Sequence, residues 1–384
     1  MTDKIYELNG MTMDFTATVT EVWEENGLFV CVLDRTAFFP GGGGQERDEG
    51  VIEDIPVVDV KEADGRILHY LSQPVTVGAS VVCSLDKKLR FSRMQAHSGE
   101  HIVSGIVHSL FGYDNVGFHM GNDGVTVDFS GELTEDEIRR VELLANEAIY
   151  KNVPIRPWFP SKDQLESLEY RSKKELEGAV RIVNIEGYDD CACCAPHLDV
   201  TGRIGIIKLL DHMRWRGGVR IRMLCGYDAL SDYNVKYFNN RSVAEALKVK
   251  HHETAEAFER YVSDVADVKR ELTETRKKLM ALKAETVDPS DGNICLFEEG
   301  LSAEDMRNFC NMCVGKCGGI VGVFSKISDG WMYTVASDTI PLRSCSRTIN
   351  DAINGKGGGS DAMITGRAFA SEAEIKNFFD TFSL

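Results

Sequence analysis

The chemistry in this chain is concentrated in two short spacings. His97 and His101 stand four apart in Arg93-Met-Gln-Ala-His97-Ser-Gly-Glu-His101, and Ile102, Val103, Ile106, Val107 and Leu110 follow at helical intervals. Residues i and i+4 of a helix lie one turn apart on one face, so both imidazoles can reach a single ion. Cys193 and His197 repeat that spacing in Asp190-Cys-Ala-Cys-Cys-Ala-Pro-His197. Three imidazoles and one thiolate make a complete tetrahedral set for Zn2+, with a soft ligand that discriminates against magnesium and calcium. Cys191 and Cys194 are competing ligands, though Cys193 keeps the spacing to His197.

The elements that must position these residues form an α+β multidomain pattern. Residues 1–87 alternate short β-like runs (15–20, 28–33, 57–60, 66–70, 80–84) with turns, which predicts a small antiparallel β-barrel. Inside it, Gly41, Gly42, Gly43 and Gly44 precede Gln45. Four consecutive glycines suit neither helix nor regular strand and predict a loop whose backbone can approach a ligand closely. The Gln45 amide both donates and accepts hydrogen bonds. A flexible hairpin loop is the plainer alternative.

Residues 88–233 mix both periods and are read as an α+β domain holding the zinc set. Thr134 and Glu137 carry a capping-box signature, and a further helix is expected over 161–176. Residues 237–284 contain neither Gly nor Pro. Phe258, Val265, Leu272 and Leu279 alternate there with Tyr261, Val268, Thr275 and Leu282, as a heptad seam requires. One long helix is therefore expected within a 234–287 linker, its seam closed by its own N-terminal half or by a second chain as a homodimer. Asp288-Pro-Ser-Asp-Gly292 breaks the pattern.

Residues 288–384 read β-α-β-β-α-β-α, an α/β domain. Between its last two strands, Gly355-Lys356-Gly-Gly-Gly359 has the composition of a phosphate-cradling loop. It lacks the Gly-x-x-x-x-Gly-Lys-Ser/Thr order, which argues against a nucleoside-triphosphate site. Cys310, Cys313 and Cys317 have the spacing of small buried residues on one helical face, and core packing is expected for them.

A chain of 384 residues, 43% hydrophobic and 27% charged, is an ordinary globular protein of two or three domains. No apolar run approaches the roughly 20 residues of a membrane span, so no membrane partner is expected. The first residues lack the basic and apolar regions of a signal peptide, and eleven cysteines without an export signal point to a reducing, cytoplasmic setting. The net charge of −17 argues against a polyanionic partner, yet local charge decides. Lys87, Lys88, Arg90 and Arg93 approach the His pair. Arg203, Lys208, Arg214, Arg216, Arg220 and Arg222 follow the Cys-His pair, with Trp215 among them and only Asp211 opposing. Two basic stretches beside one site predict an anionic substrate.

Taken in order, four motifs make the chain resemble the AlaX family of free-standing alanyl-tRNA editing proteins, in its long form. They are Phe39-Pro40-x-Gly-Gly-Gly-Gln45, His97-x-x-x-His101, Cys193-x-x-x-His197 and Gly355-Lys-Gly-Gly-Gly359. The resemblance spans nearly the whole chain and extends to the editing and C-terminal portions of alanyl-tRNA synthetase. It implies a hydrolase that cleaves serine or glycine in trans from mischarged alanine tRNA, tRNA(Ala), with Zn2+ on His97, His101, Cys193 and His197. It also implies an amino-acid pocket built from Thr36, Gln45 and the Gly42, Gly43 and Gly44 backbone. Arg93 and Lys356 would meet the tRNA, and the last domain would grip the tRNA elbow. Glu100 is the candidate general base, although an ideal helix turns it about 60° from His97 on the low side of the face. One departure is visible: the family's usual Cys-Gly-Gly-Thr-His reads Cys193-Cys-Ala-Pro-His197 here.

Two other functions fit parts of the pattern. His97-Ser-Gly-Glu100-His101 matches the H-x-x-E-H signature of a zinc metalloprotease, but that class takes a carboxylate third ligand and leaves Cys193 and His197 without a task. A non-catalytic, zinc-stabilised tRNA-binding protein would use four protein ligands as a closed structural site.

Overall fold

A computed structural model of the chain describes residues 1–121, 124–172 and 179–383. The chain divides into two compact units, Met1–Ser242 and Val243–Leu384. The first opens with β1 (Asp3–Lys4), α1 (Ile5–Leu8), β2 (Asp14–Glu25), β3 (Leu28–Leu33), β4 (Arg35–Thr36), β5 (Gly50–Ile52), β6 (Ile55–Ala63), β7 (Arg66–Leu71) and β8 (Ser80–Leu85). Six of these strands close a barrel in the order β2-β3-β7-β6-β5-β8. Alternation drives the closure: Ala17 and Val19 of β2 are buried while Thr16, Thr18 and Thr20 between them are exposed. Three connections are two-residue turns with both φ angles positive, Asn26-Gly27, Glu53-Asp54 and Asp64-Gly65, the geometry that matches strand twist. The longer connection between β4 and β5 carries the four glycines.

Next comes α2 (Lys87–Phe111), capped by the Asp86 side chain, which accepts from Leu89 N at 2.9 Å, and ended by Gly112 at φ +69°. It is followed by β9 (Asn115–Gly121), β10 (Gly124–Phe129), α3 (Glu135–Lys151), β11 (Ile155–Trp158), α4 (Lys162–Ser167), β12 (Ile182–Ile185), β13 (Asp189–Ala192), β14 (Ile207–Trp215) and β15 (Gly218–Cys225). These strands form a four-stranded sheet, β14-β15-β10-β9, and a three-stranded sheet, β11-β12-β13. Met94, Ile102, Val103 and Val107 of α2 enter the core they share with α3. Gly99 and Gly105 bring the α2 backbone very close to its neighbours. A Cβ on Gly99 would sit 2.5 Å from Cys225 Sγ, and one on Gly105 would sit 2.1 Å from the Tyr188 carbonyl oxygen. The helix expected over 161–176 is shorter than its pattern: α4 stops at Ser167, and 173–178 lie outside the described residues.

The division between units falls within α5 (Gly226–Leu247), which is followed by α6 (Thr254–Thr286). The single long helix expected over 237–284 is thus two helices. Lys248 takes φ +57°, while Lys248 N and Val249 N bond back to the Glu245 and Ala244 carbonyls, which caps α5 as a glycine would. The second unit continues through β16 (Ile294–Glu298), α7 (Ala303–Cys313), β17 (Val321–Ile327), β18 (Gly330–Ala336), α8 (Leu342–Ala352), β19 (Gly355–Gly359), β20 (Met363–Ala368) and α9 (Glu372–Thr381). Its sheet runs β16-β17-β18-β20-β19, with only β16 and β17 parallel. The glycine-rich 355–359 loop is in fact the edge strand β19. Its bare backbone pairs with β20 because a Cβ on Gly357 or Gly359 would strike that strand. Cys310 and Cys313 are buried on α7, whereas Cys317 lies beyond the helix end.

One buried ion pair ties α2 to the glycine-rich connection. The Arg90 and Asp48 side chains are 0% and 1% exposed and face each other directly. Asp48 Oδ2 accepts from Phe39 N at 2.8 Å and Asp48 N donates to the Phe39 carbonyl at 2.9 Å, so residues 39–48 are closed at their base. Arg90 Nη1 also donates to the Ala37 carbonyl at 3.1 Å. Asp48→Ala would leave the guanidinium buried without its counter-charge, with an expected stability loss of about 3–5 kcal/mol. Urea unfolding measures it; a loss below ~1 kcal/mol, typical of a surface pair, would overturn this assignment.

Candidate metal centre

α2 and the loop after β13 bring His97, His101, Cys193 and His197 together, with one ligand atom from each lying within 4.8 Å of all the others. Cys193 Sγ is 3.5 Å from His97 Nε2 and 3.4 Å from His197 Nε2. A tetrahedral zinc ion with bonds of about 2.3 Å to sulfur and 2.0–2.1 Å to nitrogen would hold such atoms about 3.5 Å apart. The donor set therefore fits a metal ion of this kind in both chemistry and spacing.

Each imidazole is held by its other ring nitrogen. His97 Nδ1 lies 2.8 Å from Gln45 Oε1, His101 Nδ1 lies 3.0 Å from Asp189 Oδ2, and His197 Nδ1 lies 3.3 Å from Ser98 Oγ. Acceptors at Nδ1 place the proton there and leave Nε2 as the ligand atom. Asp189 is in turn gripped by Arg171, whose Nε and Nη2 donate to its two oxygens at 2.7 and 2.8 Å. Arg181 braces the Cys193 loop from behind, donating to the Cys193 carbonyl and, at 3.0 Å, to the Ala195 carbonyl.

The charges agree with this arrangement. Burial alone would raise the Cys193 thiol, but His97 and His197 beside it and hydrogen bonds from His101 and His197 hold it well below its ordinary value. Burial and the charge on His101 push His197 down to about 3, the neutral form a metal requires. His101 goes the other way: burial lowers it, but the Asp189 carboxylate and Cys193 outweigh burial and lift it to about 9.

The glycine-rich turn supplies Gln45. Gly41, Gly42, Gly43 and Gly44 all have positive φ, and Gly42 and Gln45 bond to each other across the turn (2.9 and 3.1 Å). Gly44 cannot carry a side chain, because a Cβ would lie 2.5 Å from the Phe118 ring. Phe118 lies tilted against His97 with ring centres 4.9 Å apart, so turn, β9 and α2 meet at this imidazole. Gln45 is 3% exposed, and its Nε2 has no hydrogen-bond partner among the described residues.

Other expected residues are placed differently. Glu100 is buried beside the cluster, with Oε2 4.0 Å from His101 Nε2. Its Oε1 accepts from Ser104 Oγ at 2.6 Å and from Asn115 Nδ2. Thr36 does not join the cluster. His69 Nδ1 faces the Cys31 carbonyl at 3.1 Å, so His69 Nε2 is an acceptor. The Thr36 hydroxyl donates to it at 2.9 Å and accepts from Phe38 N at 3.1 Å. Fully buried in the barrel, that hydroxyl is already occupied. Arg93 reaches back to Glu46 Oε2 at 2.7 Å and the Arg47 carbonyl, holding the glycine-rich connection. Lys356 lies in the second unit, exposed on β19 opposite Arg367.

The two basic stretches are largely neutralised by paired acids, most of them distant in sequence. Arg90 is buried against Asp48, and Lys87 pairs with Asp14. Arg203, Lys208, Arg214, Arg220 and Arg222 pair with Asp199, Glu142, Glu132, Asp128 and Asp211. Apart from Asp211, sequence spacing missed these partners, and it also missed Gln45 as a histidine brace and Ser98, Asn115, Arg171, Arg181 and Asp189 as supports. Ser98 and Asp189, each close in sequence to a ligand, were the only local hints.

Residues 180–222 match the family model described as threonyl and alanyl tRNA synthetase second additional domain. The chain is 27% identical to the alanyl-tRNA editing protein AlaX-L of Pyrococcus horikoshii, over 98% of this chain and 96% of that protein. It is 24% identical to the alanyl-tRNA editing protein Aarsd1 of Rattus norvegicus, over 91% of this chain and 87% of that protein. An alanine–tRNA ligase of Methanopyrus kandleri is 29% identical over 92% of this chain, which spans only 41% of the ligase.

The Arg171–Asp189–His101 relay makes a measurable claim about metal binding. Asp189→Asn should weaken zinc affinity by about 10–100-fold in competition with a chromophoric chelator. Because the ion must displace a proton from His101, affinity in the parent protein should rise with pH, by about tenfold per unit below the His101 value of about 9. Affinity that stays flat with pH, or is unchanged in the variant, would remove His101 from the ligand set.

Proposed function

We propose that the chain, 27% identical to an alanyl-tRNA editing protein AlaX-L over 98% of its length, is a long-form member of the AlaX family and that it hydrolyses the ester joining serine, or glycine, to alanine tRNA. The observation that carries this reading is the convergence of three imidazoles and a thiolate beside a glycine turn whose Gln45 keeps a free donor. We assign zinc to the four ligands, where it would supply Lewis-acid polarisation or orientation of the substrate's end. A metalloprotease would leave the thiolate of Cys193 without a role. The cytoplasm, where charged tRNA is found, is the expected location; among the described residues no helix is long and apolar enough to cross a membrane.

An aminoacyl ester is already labile, so the protein's own residues need mainly to position it. Gln45 links the turn to His97 through its oxygen and can offer Nε2 to a hydroxyl or carbonyl oxygen of the acyl group. A serine hydroxyl would satisfy that donor, whereas an alanine side chain would leave it unpaired, at a cost of about 1–3 kcal/mol. With Thr36 occupied by His69, Gln45 is the selecting group. Glu100, held by Ser104 and Asn115, lends negative charge next to His101 and acts as a positioning residue. Deacylation of Ser-, Gly- and Ala-charged alanine tRNA tests the reading. Serine should be released fastest and alanine retained, with a serine-over-alanine preference of about 5–150-fold, the range those energies correspond to, and glycine, which also leaves the donor unpaired, should be released more slowly than serine. Release of none of the three overturns it.

We also propose that the chain pairs with a second copy through α6. Phe258, Tyr261, Val268, Leu272, Leu279 and Leu282 of the heptad seam are each about half exposed in the single chain, between 47% and 63%. A stripe of that length is covered in a coiled coil. Leu272→Lys combined with Leu279→Lys should convert a dimer into a monomer in sedimentation velocity at unchanged helix content. A monomeric parent protein would refute the pairing.

A further inference from the structure

We propose that Cys194 gauges the amino-acid pocket, limiting how large an acyl group the site admits. This rests on the deacylase reading and deepens it. Within the loop from Cys191 to Leu198, Cys194 alone is exposed, while the ligand His197 and neighbouring Ala195 and Pro196 are buried. Across from it stands the glycine turn, where Gly42, Gly43 and Gly44 are exposed and Gln45 is buried. A Cβ built on Gly43 would lie 4.0 Å from Cys194 Sγ, at ordinary van der Waals contact. The thiol next in the chain to one ligand thus faces the tip of the turn whose Gln45 braces another.

A second observation is an unsatisfied donor in the same turn. Gln45 Nε2, two residues along the chain from Gly43, is a buried donor with no hydrogen-bond partner among the described residues. An acyl side chain that reaches Gln45 must fit beside Cys194. Serine brings one oxygen to that donor. Threonine brings the same oxygen and an additional methyl group, which has to share space with Sγ. Contact of one methyl group with a packed wall separates such substrates by about 10–200-fold in kcat/KM. The gauge is built from a side chain that can be removed without touching a ligand or a histidine brace.

The test compares deacylation of Ser-, Gly- and Thr-charged alanine tRNA by the zinc-loaded full chain and two variants. Cys194→Gly opens the lip and should lower the serine-to-threonine ratio of kcat/KM at least fivefold. Cys194→Leu narrows it and should lower the serine-to-glycine ratio. Zinc content should stay at the parent value in both. A readout independent of turnover is iodoacetamide alkylation of Cys194, followed by peptide mass. It should slow at least threefold when a non-hydrolysable seryl-amide analogue of the terminal adenosine is present. A serine-to-threonine ratio that does not change in Cys194→Gly, or alkylation at the same rate with and without the analogue, overturns the gauge. A parent protein that releases neither serine nor glycine overturns the deacylase reading itself.

Discussion

Taking the Arg90 guanidinium and the Asp48 carboxylate out of water costs several kcal/mol for each unless they face one another, so the position of one dictates that of the other. Arg90 lies in the first turn of α2, seven residues before His97. Asp48 closes the base of the glycine-rich connection through both its backbone and its carboxylate. The pair therefore references a loop to a helix at a fixed register. A purely apolar contact between the same elements would tolerate sliding by a fraction of a turn, because burial is non-directional. Gln45 can meet His97 at hydrogen-bond distance only because that freedom is gone.

From there the order passes through side chains that are each held by a neighbour. Gln45 orients His97, Ser98 orients His197, and Arg171 orients Asp189, which orients His101. In each ring one nitrogen is occupied, and the other turns toward Cys193. The four ligand atoms come from a helix and a loop far apart in sequence. Arg181 fixes the loop by its carbonyls, which leaves the Cys193 side chain to the metal. Substituting any of these supports changes a direction by a bond or two, which an ion held there would meet as a lost ligand angle.

Much of this was legible in the sequence. The ligand spacing is a periodicity argument, and periodicity survives folding because a helix turn has fixed geometry. The barrel shows in the alternation of short β-like runs with turns over residues 1–87. The errors have local causes. Lys248 ends α5 in a left-handed conformation that a lysine seldom adopts, so no glycine or proline marked the break. Gly355–Gly359 reads as a loop because glycine disfavours strands, yet here the neighbouring strand comes too close for a Cβ on Gly355, Gly357 or Gly359. Thr36 sits next to the glycine run in sequence, but strand alternation turns it into the barrel toward His69. Charge was the least legible feature: the acids that neutralise Lys208, Arg214 and Arg220 lie 66 to 92 residues away in sequence or across a sheet.

That neutralisation bears on how a polyanion could be handled. Paired cations give a surface little net field, and release of counterions, which scales with free positive charge, contributes less to affinity at the first unit than ten basic residues would suggest. On the deacylase reading, recognition of the ester end then falls to neutral donors and to shape. Those act over a single bond length and require a rigid frame, because a hydrogen bond weakens steeply once its angle drifts. The frame described here provides it through the braces on His97 and His197, while Gln45 Nε2 and Arg181 Nη2 are among the buried atoms near the ligands with no hydrogen-bond partner among the described residues. A site that needs little chemical force for a labile ester, and must mainly refuse the wrong acyl group, gains more from that rigidity than from added charge.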